Sequence, residues 1–160
     1  MKRVRGSAFT EILISVFIVT LLVLSITALS PMTMRMQRQA QEYTFATNVA
    51  QTALERVRTL DFLQITANGL LAAGIGQTIE LNDTNRFRVR FTSLQLPGGA
   101  TLNLANELRN GFGTIEVVNL TTNNNISIGL KTVIVTVRWQ EARTNRWQQV
   151  QFATTVASLK

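Results

Sequence analysis

The fold of this chain is decided near its N-terminus by residues 2–30, which read KRVRGSAFTEILISVFIVTLLVLSITALS. Three basic side chains precede Gly6, and a single carboxylate, Glu11, follows that glycine by five residues. From Ile12 to Ser30 no residue is charged. Placing a carboxylate in the apolar part of a membrane costs free energy. A carboxylate at the start of such an apolar stretch therefore indicates a functional role. We therefore expect Glu11 to have a role beyond folding.

The uncharged stretch has the length of a membrane-spanning helix. Its 19 residues, Ile12–Ser30, extend roughly 28 Å as a helix, close to the ~30 Å of a bilayer core. A secretory signal has a shorter apolar segment of about 7–15 residues and then a small-residue cleavage site, whereas this chain continues Pro31-Met-Thr-Met-Arg35. Because basic residues stay on the cytoplasmic side, we predict a single-pass inner (cytoplasmic) membrane protein with its C-terminal domain outside the cytoplasm.

The residues around the glycine resemble a known processing signal. Gly6 followed by Ser7-Ala-Phe-Thr-Glu11 is similar to the signal of type IV pilins and of the pseudopilins of type II secretion, and later parts of the chain are similar to PilV-type minor pilins. In that family a prepilin peptidase cuts after the glycine and methylates the new amino terminus, and a glutamate occupies the fifth mature position. The resemblance implies cleavage between Gly6 and Ser7, N-methylation of Ser7 and an assembly role for Glu11. Ser7 stands where the family usually has Phe.

The resemblance also implies an organisation and a set of partners. Residues 1–6 are the leader, 7–31 the transmembrane and assembly helix, 32–62 the amphipathic half of that helix, and 63–160 an exported β-rich domain. The implied partners are the prepilin peptidase and N-methyltransferase, other pilin or pseudopilin subunits, the inner-membrane assembly platform, membrane lipid and, in natural transformation, DNA. The implied function is that of a structural subunit of a type IV pilus or a type II secretion pseudopilus. The alternative is a membrane-anchored extracytoplasmic binding module, including one that captures DNA.

The spacing from Gly6 to Glu11 has a physical use. Cleavage gives Ser7 a charged amino group one helical turn from the Glu11 carboxylate. An unpaired charge in apolar surroundings costs several kcal/mol, and an opposite charge recovers much of that cost. The terminal amine of a neighbouring subunit would supply the opposite charge and set the axial register between subunits. Alternatively, Glu11 only stabilises the start of its helix, where negative charge is favourable.

Beyond the apolar stretch the sequence predicts an α+β fold in which one long helix packs on a small antiparallel sheet. The resemblance implies that this fold is pilin-like. Residues 32–60 contain no Gly or Pro and repeat apolar side chains at steps of three and four, so we expect the helix to continue past Pro31 to about Leu60. Four stretches have strand-like patterns: residues 86–91, 115–120, 131–139 and 147–156. The stretches expected to be irregular are residues 63–85, the turn at 97–99 and the loop at 121–125.

The composition argues against catalysis. The chain has no His and no Cys, which removes the usual general base, the usual zinc ligands and any thiol nucleophile. Without Cys, no disulfide stabilises the exported domain. The nine acidic residues are scattered without the spacing of a calcium loop. We therefore expect no enzymatic activity, no cofactor and no metal site.

One stretch has the composition of a binding surface. Arg86, Arg88 and Arg90 alternate with apolar residues, so on a strand their guanidinium groups share one face at intervals of about 6.5–7 Å. Guanidinium groups bind phosphate well, and this spacing suits a DNA backbone. Further basic residues in the last predicted hairpin would extend this surface: Lys131, Arg143 and Arg146. Alternatively, the three arginines form a solvated strand face whose charges are offset by acidic side chains across the sheet.

Overall fold

The computed structural model describes residues 5–96, 99–121, 127–141 and 144–158. The chain divides into two compact units, Met1–Ala40 and Gln41–Lys160, and each is described by itself. Most of the predicted turn at 97–99 and of the predicted loop at 121–125 lies outside the described residues, as do Lys2, Arg3 and Arg143.

The described part of the first unit is helical. Helix α1, Arg5–Arg58, begins in this unit and is not interrupted at Pro31, which confirms the prediction that one helix extends past the proline. Every side chain from Phe9 to Thr27 is exposed. The helix is long and apolar enough to cross a membrane. Its length and composition are therefore those of a single-pass membrane segment near the N-terminus.

The hydroxyl groups in the apolar part of α1 are bonded within the helix. Each of four hydroxyls donates to the backbone carbonyl four residues earlier, at 2.5–2.8 Å: Ser15, Thr20, Ser25 and Thr27. A hydroxyl bonded in this way leaves no unsatisfied donor, so these residues are compatible with a hydrocarbon environment. Glu11 then remains as the one charged side chain between Ser7 and Met34.

The second unit contains a sheet of five antiparallel strands and a separate hairpin. The sheet strands are β1 (Thr78–Asn82), β2 (Arg86–Phe91), β5 (Phe112–Thr121), β6 (Ser127–Gln140) and β7 (Trp147–Ala157). The hairpin pairs β3 (Ser93–Gln95) with β4 (Thr101–Asn103). The order across the sheet is β1-β2-β5-β6-β7, with every neighbouring pair antiparallel. The α+β class is therefore confirmed, and each of the four predicted strands is present.

Three short helical segments complete the second unit. A 3₁₀ turn at Phe62–Gln64 and helix α2, Ala67–Ala72, connect α1 to β1, and helix α3, Leu104–Glu107, precedes β5. The region 63–85 was expected to be irregular, so α2 and β1 correct that prediction. The side chains of β1 are almost all exposed, and for that reason the strand lacks the alternation by which sequence patterns reveal strands.

The hydrophobic core lies between the C-terminal part of α1 and the inner face of the sheet. The predicted apolar stripe of the helix includes five fully buried residues: Ala46, Val49, Ala50, Ala53 and Val57. The predicted inner positions of β2 and β6 are also buried: Phe87, Val89, Phe91, Val133, Val135, Val137 and Trp139. Removal of this apolar surface from water is the main stabilising contribution to the unit.

Two basic side chains hold the connection between α1 and the sheet. The Lys131 ammonium donates to the carbonyl oxygens of Phe62 and Ile65, both at 2.8 Å, and lies 4.3 Å from the centroid of the Phe62 ring. Burial lowers the pKa of Lys131 below its ordinary value. Arg56 of α1 donates to the carbonyl oxygen of Gln95 at the end of β3. The expectation that Lys131 extends a cationic surface is therefore wrong, because its ammonium is held by backbone carbonyls.

Candidate functional site

The predicted processing and assembly residues lie in the first turns of α1. The backbone at Gly6, Ser7 and Glu11 is helical. The Glu11 side chain is exposed, and among the described residues no hydrogen bond or ion pair reaches its carboxylate. Cleavage after Gly6, methylation of Ser7 and the assembly role of Glu11 stay predictions.

The side chains of Phe9 and Ile12, which flank Glu11, do not offset the charge of its carboxylate. The neighbouring side chains Phe9 and Ile12 are apolar and 66% and 62% exposed. A carboxylate among such side chains in a membrane is neutralised by a proton or paired with a cation. Among the described residues, none supplies that cation.

The predicted cationic strand is part of a network of ion pairs. Arg86, Arg88 and Arg90 lie on the outer face of β2, while the apolar residues between them are buried. Glu116 of β5 accepts hydrogen bonds from Arg88 at 2.6 and 3.1 Å through one carboxylate oxygen and pairs with Arg86 at 2.6 Å through the other. Arg90 lies 3.7 Å from Glu80. Such ion pairs are expected if the three arginines form a solvated strand face whose charges are offset by acidic side chains across the sheet. Nucleic-acid binding by the three arginines stays a prediction.

The environment of Glu116 changes its titration. Burial by itself raises the pKa of Glu116, but the hydrogen bonds and charges of Arg88 and Arg86 outweigh burial and hold the pKa below the ordinary value of 4.5. The folded state therefore binds the proton less tightly than the unfolded state does. It follows that the carboxylate stabilises the fold above about pH 4.5 and loses that contribution as the pH falls through the folded pKa.

We predict that Glu116→Gln reduces the acid-dependent loss of stability. At pH 7 the variant is less stable by about 1 kcal/mol, because a neutral amide replaces a carboxylate whose arginine partners are partly solvated. At pH 3 we expect the difference to be smaller, because protonation of Glu116 removes part of its contribution. Thermal unfolding of the full chain in nonionic detergent measures both values. Glu107→Gln, which alters an exposed acid, is the control, and a difference that is the same at both pH values would contradict the prediction.

A second group of side chains on the outer face was not predicted from the sequence. The guanidinium carbon of Arg90 lies 4.1 Å from the centroid of the Phe112 ring, and the Phe112 and Trp147 rings meet edge to face with centroids 5.8 Å apart. Arg138 lies opposite Phe112 in the β5–β6 register and donates to the Gln149 side chain at 3.0 Å. We call Arg90, Phe112, Arg138 and Trp147 the arginine–aromatic cluster.

The arginine–aromatic cluster exists because of the strand order. Its four members come from β2, β5, β6 and β7, which are consecutive in the sheet although β2 and β5 are not consecutive strands of the chain. The four residues are too far apart in the sequence for a short-range pattern to relate them. The available signal was the exposed aromatic residue that begins the last predicted strand, next to Arg146.

Comparison of the chain with protein-family models, with curated proteins and with solved structures found no match. Across the described ranges, no group of three or more acidic side chains is placed to hold a metal ion.

Proposed function

We propose that the chain is a minor pilin or pseudopilin, a structural subunit that is cleaved between Gly6 and Ser7 and assembled through its N-terminal helix. The product of assembly is a type IV pilus or a type II secretion pseudopilus. One observation carries the proposal: the Glu11 carboxylate is the one charge between Ser7 and Met34 of α1 and has no partner among the described residues. Its spacing from Gly6 is the spacing that the processing signal requires.

The proposed mechanism is mechanical rather than chemical. Before assembly, the apolar part of α1 is surrounded by lipid, and in the fibre it is surrounded by the same helix of neighbouring subunits. Both environments are apolar, so apolar burial alone does not choose between them. The choice of register comes from the charge pair between Glu11 of this subunit and the terminal amine of the neighbouring subunit. The prepilin peptidase and the inner-membrane assembly platform are the partners that this mechanism requires.

The second candidate is a membrane-anchored extracytoplasmic binding module that keeps residues 1–6. The arginine–aromatic cluster favours this candidate, because an exposed Trp147 beside two arginines has the features of a binding surface. Processing at Gly6 distinguishes the two candidates, since a plain anchor has no use for a new amino terminus.

The mature N-terminus tests the proposal. We expect mass spectrometry of protein from cells with an active prepilin peptidase to find a terminal peptide that begins with methylated Ser7. Protein from cells without the peptidase, or a Gly6→Val variant, should begin at Met1 and serves as the control. An N-terminus at Met1 in the presence of the peptidase, or cleavage after Ser30, would overturn the assignment in favour of a tethered or secreted domain.

A further inference from the structure

The arginine–aromatic cluster contains one arginine, Arg138, that pairs with no carboxylate of the described residues, whereas Arg90 lies 3.7 Å from Glu80. Arg86 and Arg88 share Glu116, whereas the Arg138 guanidinium is exposed and donates to the neutral side chain of Gln149. In the part of the chain that the structure describes, no carboxylate pairs with Arg138. Arg138 is therefore the arginine of the cluster whose charge is available to an anion.

The same cluster exposes an aromatic ring. Trp147 is 54% exposed, whereas the other tryptophan of the chain, Trp139, is 3% exposed and belongs to the core. The edge-to-face contact with Phe112 holds one side of the indole in place and leaves much of its surface to solvent. Arg90 is itself stacked on Phe112 and lies 3.7 Å from Glu80, so it helps to fix the ring that supports Trp147.

A fixed ring next to guanidinium donors matches the two parts of an unpaired nucleotide. Proteins that bind single strands combine a basic surface that follows the backbone with aromatic side chains on which bases stack. In a duplex the faces of the bases are already covered by their neighbours, so an exposed indole finds a base face only on unpaired nucleotides. An acidic peptide would use the arginines but would leave the exposed indole without a role.

We propose that the arginine–aromatic cluster binds single-stranded nucleic acid, with Trp147 stacked on a base and with Arg138 donating to an adjacent phosphate. This site differs from the three-arginine strand that the sequence suggests, because Arg86 and Arg88 share Glu116 and Arg90 pairs with Glu80, whereas Arg138 has no acidic partner among the described residues. The proposal goes beyond the structural role and does not depend on cleavage at Gly6.

The experiment uses the full chain in nonionic detergent and a fluorescein-labelled single-stranded oligothymidylate. We expect fluorescence anisotropy to show binding that weakens as the salt concentration rises from about 50 to about 200 mM. Trp147→Ala should weaken binding about tenfold, because it removes one stacking platform. Arg138→Gln should weaken binding and lower the slope of log affinity against log salt by about 1, because it removes one phosphate contact.

Two matched variants separate the cluster from general surface effects. Arg58→Gln removes an exposed arginine at the end of α1, and Leu63→Ala removes an apolar side chain that is 85% exposed on the connecting turn. We expect both to bind as the wild type does. The fluorescence of buried Trp139 confirms that Trp147→Ala is folded.

Three results would overturn the inference. One is an absence of oligothymidylate binding by the wild-type chain. Another is an equal loss of affinity in Arg58→Gln and Arg138→Gln, which indicates diffuse attraction by net charge. The last is tighter binding of duplex DNA or of a sulfated polysaccharide that Trp147→Ala leaves unchanged, which indicates recognition of anionic groups without base stacking.

Discussion

Glu11→Leu is expected to abolish incorporation of the chain into fibres while membrane insertion and cleavage after Gly6 are retained. The variant has no carboxylate to meet the terminal amine of the neighbouring subunit, so that amine is left unpaired in apolar surroundings. Breaking a buried charge pair by removing one partner costs about 3–5 kcal/mol, and about 1.4 kcal/mol corresponds to tenfold in an equilibrium constant. We therefore expect assembly to fall by at least about a hundredfold, measured as the ratio of chain in sheared fibres to chain in membranes.

The control for this variant is Glu55→Leu, which makes the same change at an exposed position of the same helix. Glu55→Leu should assemble as the wild type does. Membrane fractionation and the mass of the mature terminus verify that Glu11→Leu is inserted and processed, and insertion is favoured because leucine replaces a charge. Incorporation of processed Glu11→Leu at the wild-type level would refute the charge-pair mechanism.

Gly113→Ala is expected to destabilise the second unit by about 3 kcal/mol or more, since overpacking a core typically costs about 1–3 kcal/mol and here the obstacle is a buried ring. Gly113 lies in β5 opposite Phe91 of β2 and Val137 of β6. A Cβ at this position would lie 2.0–2.5 Å from three atoms of the Phe91 ring. Phe91 is fully buried, so the ring has no open space into which to move. Circular dichroism during thermal unfolding of the full chain in nonionic detergent measures the loss.

A second substitution tests whether the ring is the cause. Phe91→Leu alone removes apolar contacts and is itself destabilising by about 1–3 kcal/mol. Combined with Gly113→Ala, it also removes the ring atoms that the new methyl group meets. We expect the double variant to be more stable than the sum of the two losses implies, with a coupling of at least about 1 kcal/mol. Strict additivity would show that the Phe91 ring is not what excludes a side chain at position 113.

Local periodicity was sufficient for the main elements of the fold. The three- and four-residue repeat after Pro31 predicted the long helix, and Ala46, Ala50 and Ala53 are buried in it as expected. Alternation predicted β2 and β6, whose apolar residues form the inner face of the sheet. These predictions succeed because each period matches the repeat of a regular backbone with one buried side.

Elements that lack a buried face with a regular apolar repeat were not predicted from the sequence. Strand β1 exposes nearly every side chain and is held in the sheet by its antiparallel pairing with β2. The hairpin of β3 and β4 has three residues in each strand, too few for an alternation to be distinguished from chance. Lys131 was assigned to the surface because its charge is visible in the sequence, whereas the carbonyls of Phe62 and Ile65 that hold it are brought near by the fold.

The sequence by itself determined the apolar helix, the single carboxylate at its start and the spacing from Gly6 to Glu11, because all three are relations between neighbouring residues on one helix. The tertiary structure decided which charges are neutralised on the sheet. Antiparallel pairing of β2 with β5 brings Glu116 to Arg86 and Arg88, and pairing of β5, β6 and β7 gathers Phe112, Arg138 and Trp147. Strand order sets these contacts, since residues distant in the chain become neighbours only when their strands share hydrogen bonds.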